Sequence, residues 1–138
     1  MAWVEAGTLP PPSLYPTRAK GTLLDRDVVA AIFPQIGSAR FPAHINELDL
    51  LNHNVMPPKI GPRYTVGISA IDSDGNGIGG IPHPLVVAPV GTHTGWQVRK
   101  AGYAEGELFN VFGSFWPFQA SSDTQNSASD SRPSLEER

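Results

Sequence analysis

Glycine and proline interrupt this chain too often for long helices or broad sheets to form. There are 14 of each among 138 residues, about a fifth of the sequence. Average usage of the two together is ~12 %, and low-complexity disorder begins near ~25–30 %. The ratio therefore predicts a folded but loop-rich body with many turns and short elements. Each proline fixes its own φ and drives its predecessor toward extended backbone. The stretch "PPPSLYPT" (10–17) is accordingly expected to be an extended arm strapped over a neighbouring surface. A chain of this length suffices for one domain, which ordinarily buries roughly two-thirds of its unfolded surface.

Between the breakers, several short elements can be placed. Ala2, Trp3, Val4 and Ala6 read as the last turn of a helix stopped at Gly7. "DRDVVAAIF" (Asp25 to Phe33) predicts a short helix, with Asp25 as its cap and Pro34 as its stop, and with Val28, Val29, Ile32 and Phe33 on one face. In "HINELDLLN", Leu48 and Leu50 alternate as in a strand, whereas Ile45, Leu48 and Leu51 have helical spacing; the flanking prolines favour the strand. "RYTVGISAI" (Arg63 to Ile71) and "HPLVVAPV" (His83 to Val90) read as the two strands of a β-hairpin. In "GELFNVFGSFWPF" (Gly106 to Phe118), Gly113 and Pro117 limit the chain to one short helix followed by an irregular aromatic segment. From Gln119 onward the composition turns polar, so the expected organisation is a domain over 1–118 and a mobile tail over 119–138. That tail ends in "SLEE", a capping box of Ser134 and Glu137 that marks the start of a helix. One end thus reads as the finish of a helix and the other as the beginning of one, the pattern of a fragment. The fold class these pieces define is α+β.

Charge and composition exclude several functions. A net charge of −3 and a pI near 5.7, with no basic run, argue against a nucleic-acid footprint. The absence of cysteine rules out disulfides, a thiol nucleophile and thiolate metal ligands within the chain. No run approaches the ~18 apolar residues of a membrane span. "MAWVEAGTLPPP" lacks the basic region and apolar core of a signal peptide.

The sharpest motif is "IDSDGNGIGG" (71–80), in which Asp72, Asp74, Asn76 and Gly77 match the first half of an EF-hand calcium loop. A complete loop needs a bidentate carboxylate at position 12 and a helix on either side. Position 12 is His83 and the preceding segment is strand-like, so the stretch reads as a hairpin tip with at most weak calcium affinity. The same glycines approximate a dinucleotide fingerprint, but no helix is expected after them to receive a phosphate. His44, His53, His83 and His93 share no metal-ligand spacing. Neither Ser69 nor Ser114 sits in G-x-S-x-G, the strained turn of an α/β-hydrolase nucleophile. The aromatics between Phe109 and Phe118 read as core, with the wall of a ligand pocket as the other option.

Taken in order, "PPPSLYPT", "FPQIGSARFP", "INELDLLN", "PPKIGPRYTV", "DSDGNGIGGI", "VAPVGTHTGW", "GELFNVFGSFWPF" and "SRPSLEER" resemble the C-terminal region of a bacterial family described as alpha/beta hydrolase domain proteins. The resemblance implies a serine hydrolase of esterase type, acting without a cofactor, whose serine nucleophile and histidine base lie upstream of the matched region. No triad residue of the family transfers to a position of this chain. His93 stands where the family tends to carry tyrosine. The implied role is a piece that packs on the rest of an α/β-hydrolase domain and walls the ester substrate's pocket with Trp96, Phe112, Phe115 or Trp116. The competing expectation is a stand-alone, β-rich binding module without catalytic activity.

Overall fold

Strands of three to five residues, paired two by two, organise the chain. The computed structural model describes residues 2–45, 47–64, 66–122 and 129–138. Among them lie three two-stranded antiparallel sheets, short helices and long connecting loops, an α+β arrangement.

The first sheet pairs β1 (Leu23–Asp25) with β4 (Gly67–Ser69), Leu24 opposite Ile68. A Cβ at Gly67 would stand 2.6 Å from Cγ of Leu23, so any larger residue there would displace that side chain. The helix α2 (Arg26–Ile32) follows β1 directly and packs on both strands. Pro34 stops it as expected, but Asp25 makes no side-chain cap bond and instead pairs with Arg18 at 2.7 Å. Of the expected apolar face only Val29 is in the core, at 1 % exposed, while Val28 and Ile32 are about half exposed. Ile36, Ala70 and Phe118 complete the buried apolar set.

The second sheet is a hairpin of β2 (Asp49–Asn52) and β3 (Lys59–Arg63), with Leu51 opposite Ile60 and an irregularity between Asp49 and Leu51. The strand reading of "ELDLLN" therefore holds over β2. Among the described residues no other helix or strand packs closely on the hairpin, and Leu48, Leu50, Leu51, Ile60 and Tyr64 are all exposed.

The hairpin expected from Arg63 to Val90 is not formed. Its first half divides between the end of β3 and β4, and β4 takes β1 as its partner. Its second half contains α3 (Pro84–Val87), where the His83 ring accepts from the Leu85 N–H at 3.3 Å and Pro84 occupies the first turn. The prolines explain the change: Pro82, Pro84 and Pro89 cannot donate to a ladder, and Pro84 is preset for the first turn of a helix. The chain still reverses tightly at 71–77, where Ile71 bridges Gly77.

The third sheet pairs β5 (Gly91–Thr94) with β6 (Ser114–Pro117) in continuous register, Thr92 opposite Trp116 and His93 opposite Phe115. Here too an expectation fails: within 106–118 there is no helix, only the bridge from Leu108 to Val98 and then β6. Close backbone approach decides the geometry. A Cβ on Gly113 would lie 2.1 Å from the Thr94 carbonyl oxygen, and one on Gly91 would lie 2.5 Å from that of Trp116.

The polar segment expected to be mobile divides in two. Residues 123–128 lie outside the described residues. Residues 129–138 are docked: Asp130 bridges Ile36, Ser131 donates its N–H to the Gln35 carbonyl at 2.8 Å, and Gln35 returns its N–H to the Ser131 hydroxyl at 2.9 Å. The terminal turn, Leu135–Glu137, is a 3₁₀ helix whose Glu137 carboxylate accepts from the Ser134 N–H at 2.8 Å and its hydroxyl at 3.0 Å, as the capping box predicts. At the other end α1 (Ala2–Glu5) stops before Gly7, which takes a φ of +64°.

The accessible surface is 10031 Å². A compact monomer of 14.8 kDa would expose only about 7,000 Å².

Candidate functional site

Strand β5 is the hub of the polar interior, and the 71–77 loop is laced to it. Asp72 Oδ1 accepts the N–H groups of Asp74 and Asn76, each at 2.9 Å, while the Gly75 N–H closes the turn on the Asp72 carbonyl at 3.0 Å. Asn76 is fully buried; its Nδ2 donates to the Gly91 carbonyl at 3.2 Å and its Oδ1 accepts the His93 N–H at 2.8 Å. The Thr92 hydroxyl donates to the Asp74 carbonyl. The Asp74 carboxylate receives both guanidinium nitrogens of Arg138, at 2.8 and 2.5 Å. The three residues expected as weak calcium ligands thus meet backbone amides and a guanidinium.

Arg132 is the other half of this network. Its Nη1 donates to Thr92 Oγ1 and to the Trp116 carbonyl, both at 2.8 Å, and its Nη2 to the Pro117 carbonyl at 3.1 Å. Nε and Nη2 together grip the Asp130 carboxylate at 2.8 and 2.5 Å. These hydrogen bonds hold the Asp130 carboxyl below the usual carboxylate range, against the opposing effect of burial. Arg132 and Arg138 both lie over the Phe118 ring, at 5.1 and 3.7 Å from its centre. The pairing with Asp74 likewise raises the affinity of Arg138 for its proton. This cluster is a structural lock joining the 71–77 loop, β5, β6 and residues 130–138.

The lock fixes one face of a small pocket. The ring of His93 stacks on Phe115, their centres 4.7 Å apart, and lines a cavity of about 200 Å³ enclosed by α2, β4 and β5. Phe33, Phe41 and Trp96 also line it, packed as a triangle with ring centres 5.5, 5.5 and 5.4 Å apart. Val29, Ile68 and Ile71 close its sides, and no charged side chain lines it. His93 Nε2 is buried without a hydrogen-bond partner. A broader hollow of about 390 Å³ opens between Ile36, Trp116 and Asp130, where Trp116 Nε1 is also buried and unpartnered.

The four residues expected to wall a pocket are not gathered into one cavity. Trp96 lines the aromatic pocket and Trp116 the broader hollow. Phe115 supports the His93 ring, and Phe112, 65 % exposed, lines neither. Phe33 and Phe41 were not singled out for this role, because nothing local relates them to Trp96 across more than fifty residues. Among the described residues no three metal-ligating side chains converge. His44 pairs with Glu47 at 3.0 Å and His83 caps α3. The Ser69 hydroxyl donates to the Ala70 carbonyl and accepts the Gly79 N–H, both at 3.0 Å.

Short antiparallel strand pairs and few helices make the described residues an α+β body with a small aromatic pocket. The chain belongs to the alpha/beta hydrolase domain family, whose model matches residues 1–130. No curated protein and no solved structure matches it. No helix among the described residues is long and apolar enough to cross a membrane.

Proposed function

We propose that this chain serves as the C-terminal part of a serine-esterase-like α/β-hydrolase, packing on the remainder of the hydrolase domain while nucleophile and base lie outside it. The observation that carries this reading is the large accessible surface, on which many apolar side chains are exposed. The chain exposes about 3,000 Å² more than a compact monomer of its mass. A single protein–protein interface commonly buries ~800 Å² per partner, so the excess is enough for extensive packing against a larger body. Leu48, Leu50, Ile60, Val111 and Phe112 are among the apolar residues that such packing would cover. Trp96 then walls the pocket for an ester substrate with Phe115 behind its His93 face, while Phe112 and Trp116, which lie outside that cavity, pack on the rest of the domain. The 138-residue chain should resist covalent labelling by a fluorophosphonate probe, since an activated serine is needed for that reaction. Stoichiometric labelling of the chain alone would overturn the proposal.

One observation favours the second reading, a stand-alone binding module. The Arg132 lock ties residues 130–138 to β5 and β6 with the chain's own groups. A monodisperse chain that unfolds in one cooperative transition would support that reading.

A further inference from the structure

We propose that the pocket between α2, β4 and β5 receives one neutral, unsubstituted aromatic ring of an ester, with the ester group left at the pocket's open side. The inference rests on reading this cavity as the ester substrate's pocket, and it names the part of the substrate that enters.

Size comes first. Whole drug-sized ligands occupy ~300–1,000 Å³, whereas a dry apolar cavity of ~150 Å³ takes benzene. A cavity of about 200 Å³ therefore holds one ring and not a whole ligand. The walls suit that ring. Phe33, Phe41 and Trp96 meet at 53–71° between planes, so faces and edges are both available at the ~4.5–7 Å spacing that aromatic pairs prefer. Val29, Ile68 and Ile71 supply the aliphatic remainder.

The two hydroxyls on the lining are already engaged. That of Ser69 donates to the Ala70 carbonyl and accepts the Gly79 N–H, both at 3.0 Å. That of Thr94 donates to the Trp96 carbonyl at 2.8 Å and accepts the Ser114 N–H at 3.2 Å. Each has given its one proton to the backbone. His93 Nε2 is buried away from solvent and out of a ligand's reach, and the His93 ring stacks on Phe115. No Lys, Arg, Asp or Glu lines the cavity, so a charged group that entered would lose its hydration without gaining a counter-charge. A plain ring asks for none of these partners.

The test is saturation-transfer NMR on the 138-residue chain with methyl benzoate, phenyl acetate, methyl cyclohexanecarboxylate and terephthalate as probes. The methyl resonances of Val29, Ile68 and Ile71 are followed in parallel. At least one of the two phenyl esters should bind saturably and move those methyls through its ring current. The tighter of the pair shows whether the ring belongs to the acyl or the alcohol side. The cyclohexyl ester, similar in size but without a π face, should bind about two- to tenfold more weakly. Terephthalate carries a carboxylate at each end and cannot keep both at the mouth, so it should displace neither phenyl ester. In Trp96→Leu the preference for phenyl over cyclohexyl should shrink while both still bind; should that variant fail to fold, the wild-type comparisons decide alone. No saturable binding of either phenyl ester, unmoved methyls, or displacement by terephthalate would each overturn the proposal. Equal binding of the cyclohexyl ester would overturn it too, because any apolar group, a side chain from the rest of the domain included, would then fill the pocket. None of these outcomes depends on ester hydrolysis, and fluorophosphonate labelling does not depend on ring binding, so the two readings fail separately.

Discussion

Replacing Arg132 by methionine removes five N–H donors from the interior while nearly preserving the length of the side chain. The Arg132 side chain is 1 % exposed and that of its partner Asp130 is 9 % exposed. The substitution leaves the Asp130 carboxylate buried without its counter-ion, and it strips a donor from the Thr92 hydroxyl and from the Trp116 and Pro117 carbonyls. Breaking one side of a buried pair costs ~3–5 kcal/mol. For a chain of this size each kcal/mol moves the midpoint by about 4 °C, so Tm should fall by about 10–20 °C. Urea denaturation followed by circular dichroism gives the free energy. Hydrogen exchange gives the location: the Ser131 and Gly37 amides, which bond to the Gln35 and Ser129 carbonyls, should lose protection first. The double variant Arg132→Met/Asp130→Asn removes the stranded charge and should recover a substantial part of the loss. A single-variant cost below ~1 kcal/mol, about a fifteenth to a fifth of a typical domain's stability, with unchanged exchange over 129–138 would refute the lock.

Three further outcomes are expected. Because Arg132 depresses the Asp130 pKa, the stabilisation from that carboxylate is complete above its unfolded value of ~3.9 and is lost as pH falls through the lower folded value; amide exchange over 129–138 should rise only at that acid end, and Asp130→Asn should flatten the dependence. Gly113→Ala should destabilise the β5–β6 pair by at least ~1–3 kcal/mol, since its methyl would collide with the Thr94 carbonyl; a thermal melt superimposable on the wild type would contradict this. Millimolar calcium should leave the Asp72 to Gly77 amide resonances unmoved, because Arg138 grips Asp74 and backbone amides occupy Asp72 Oδ1; saturable shifts there would restore the loop as a cation site.

What could be read in advance was largely local. α2 was legible because Pro34 and the Val28–Val29–Ile32 spacing lie within one short window, and the Ser134–Glu137 capping box for the same reason. The partner of β4 was not legible: three residues of β1 lie more than forty positions earlier and carry no distinguishing pattern. The β-branched content of residues 83–90 suggests a strand, whereas Pro82, Pro84 and Pro89 carry the contrary signal that the fold obeys. The C-terminal lock was hidden most completely. Composition made the segment polar, whereas its fate was decided by carbonyls of Trp116 and Pro117 and by Thr92, forty residues away from Arg132. The aromatic pocket was half legible, through Trp96 alone. The family was legible from the order of many short stretches, none of them decisive singly.

The exposed apolar residues are proposed to pack against the rest of a hydrolase domain. Sedimentation velocity on the isolated 138-residue chain, run with and without the hydrophobic dye ANS, addresses that packing most directly. Concentration-dependent self-association and saturable binding of the dye are expected. A compact monomer that stays monomeric across concentration and binds no dye would contradict it.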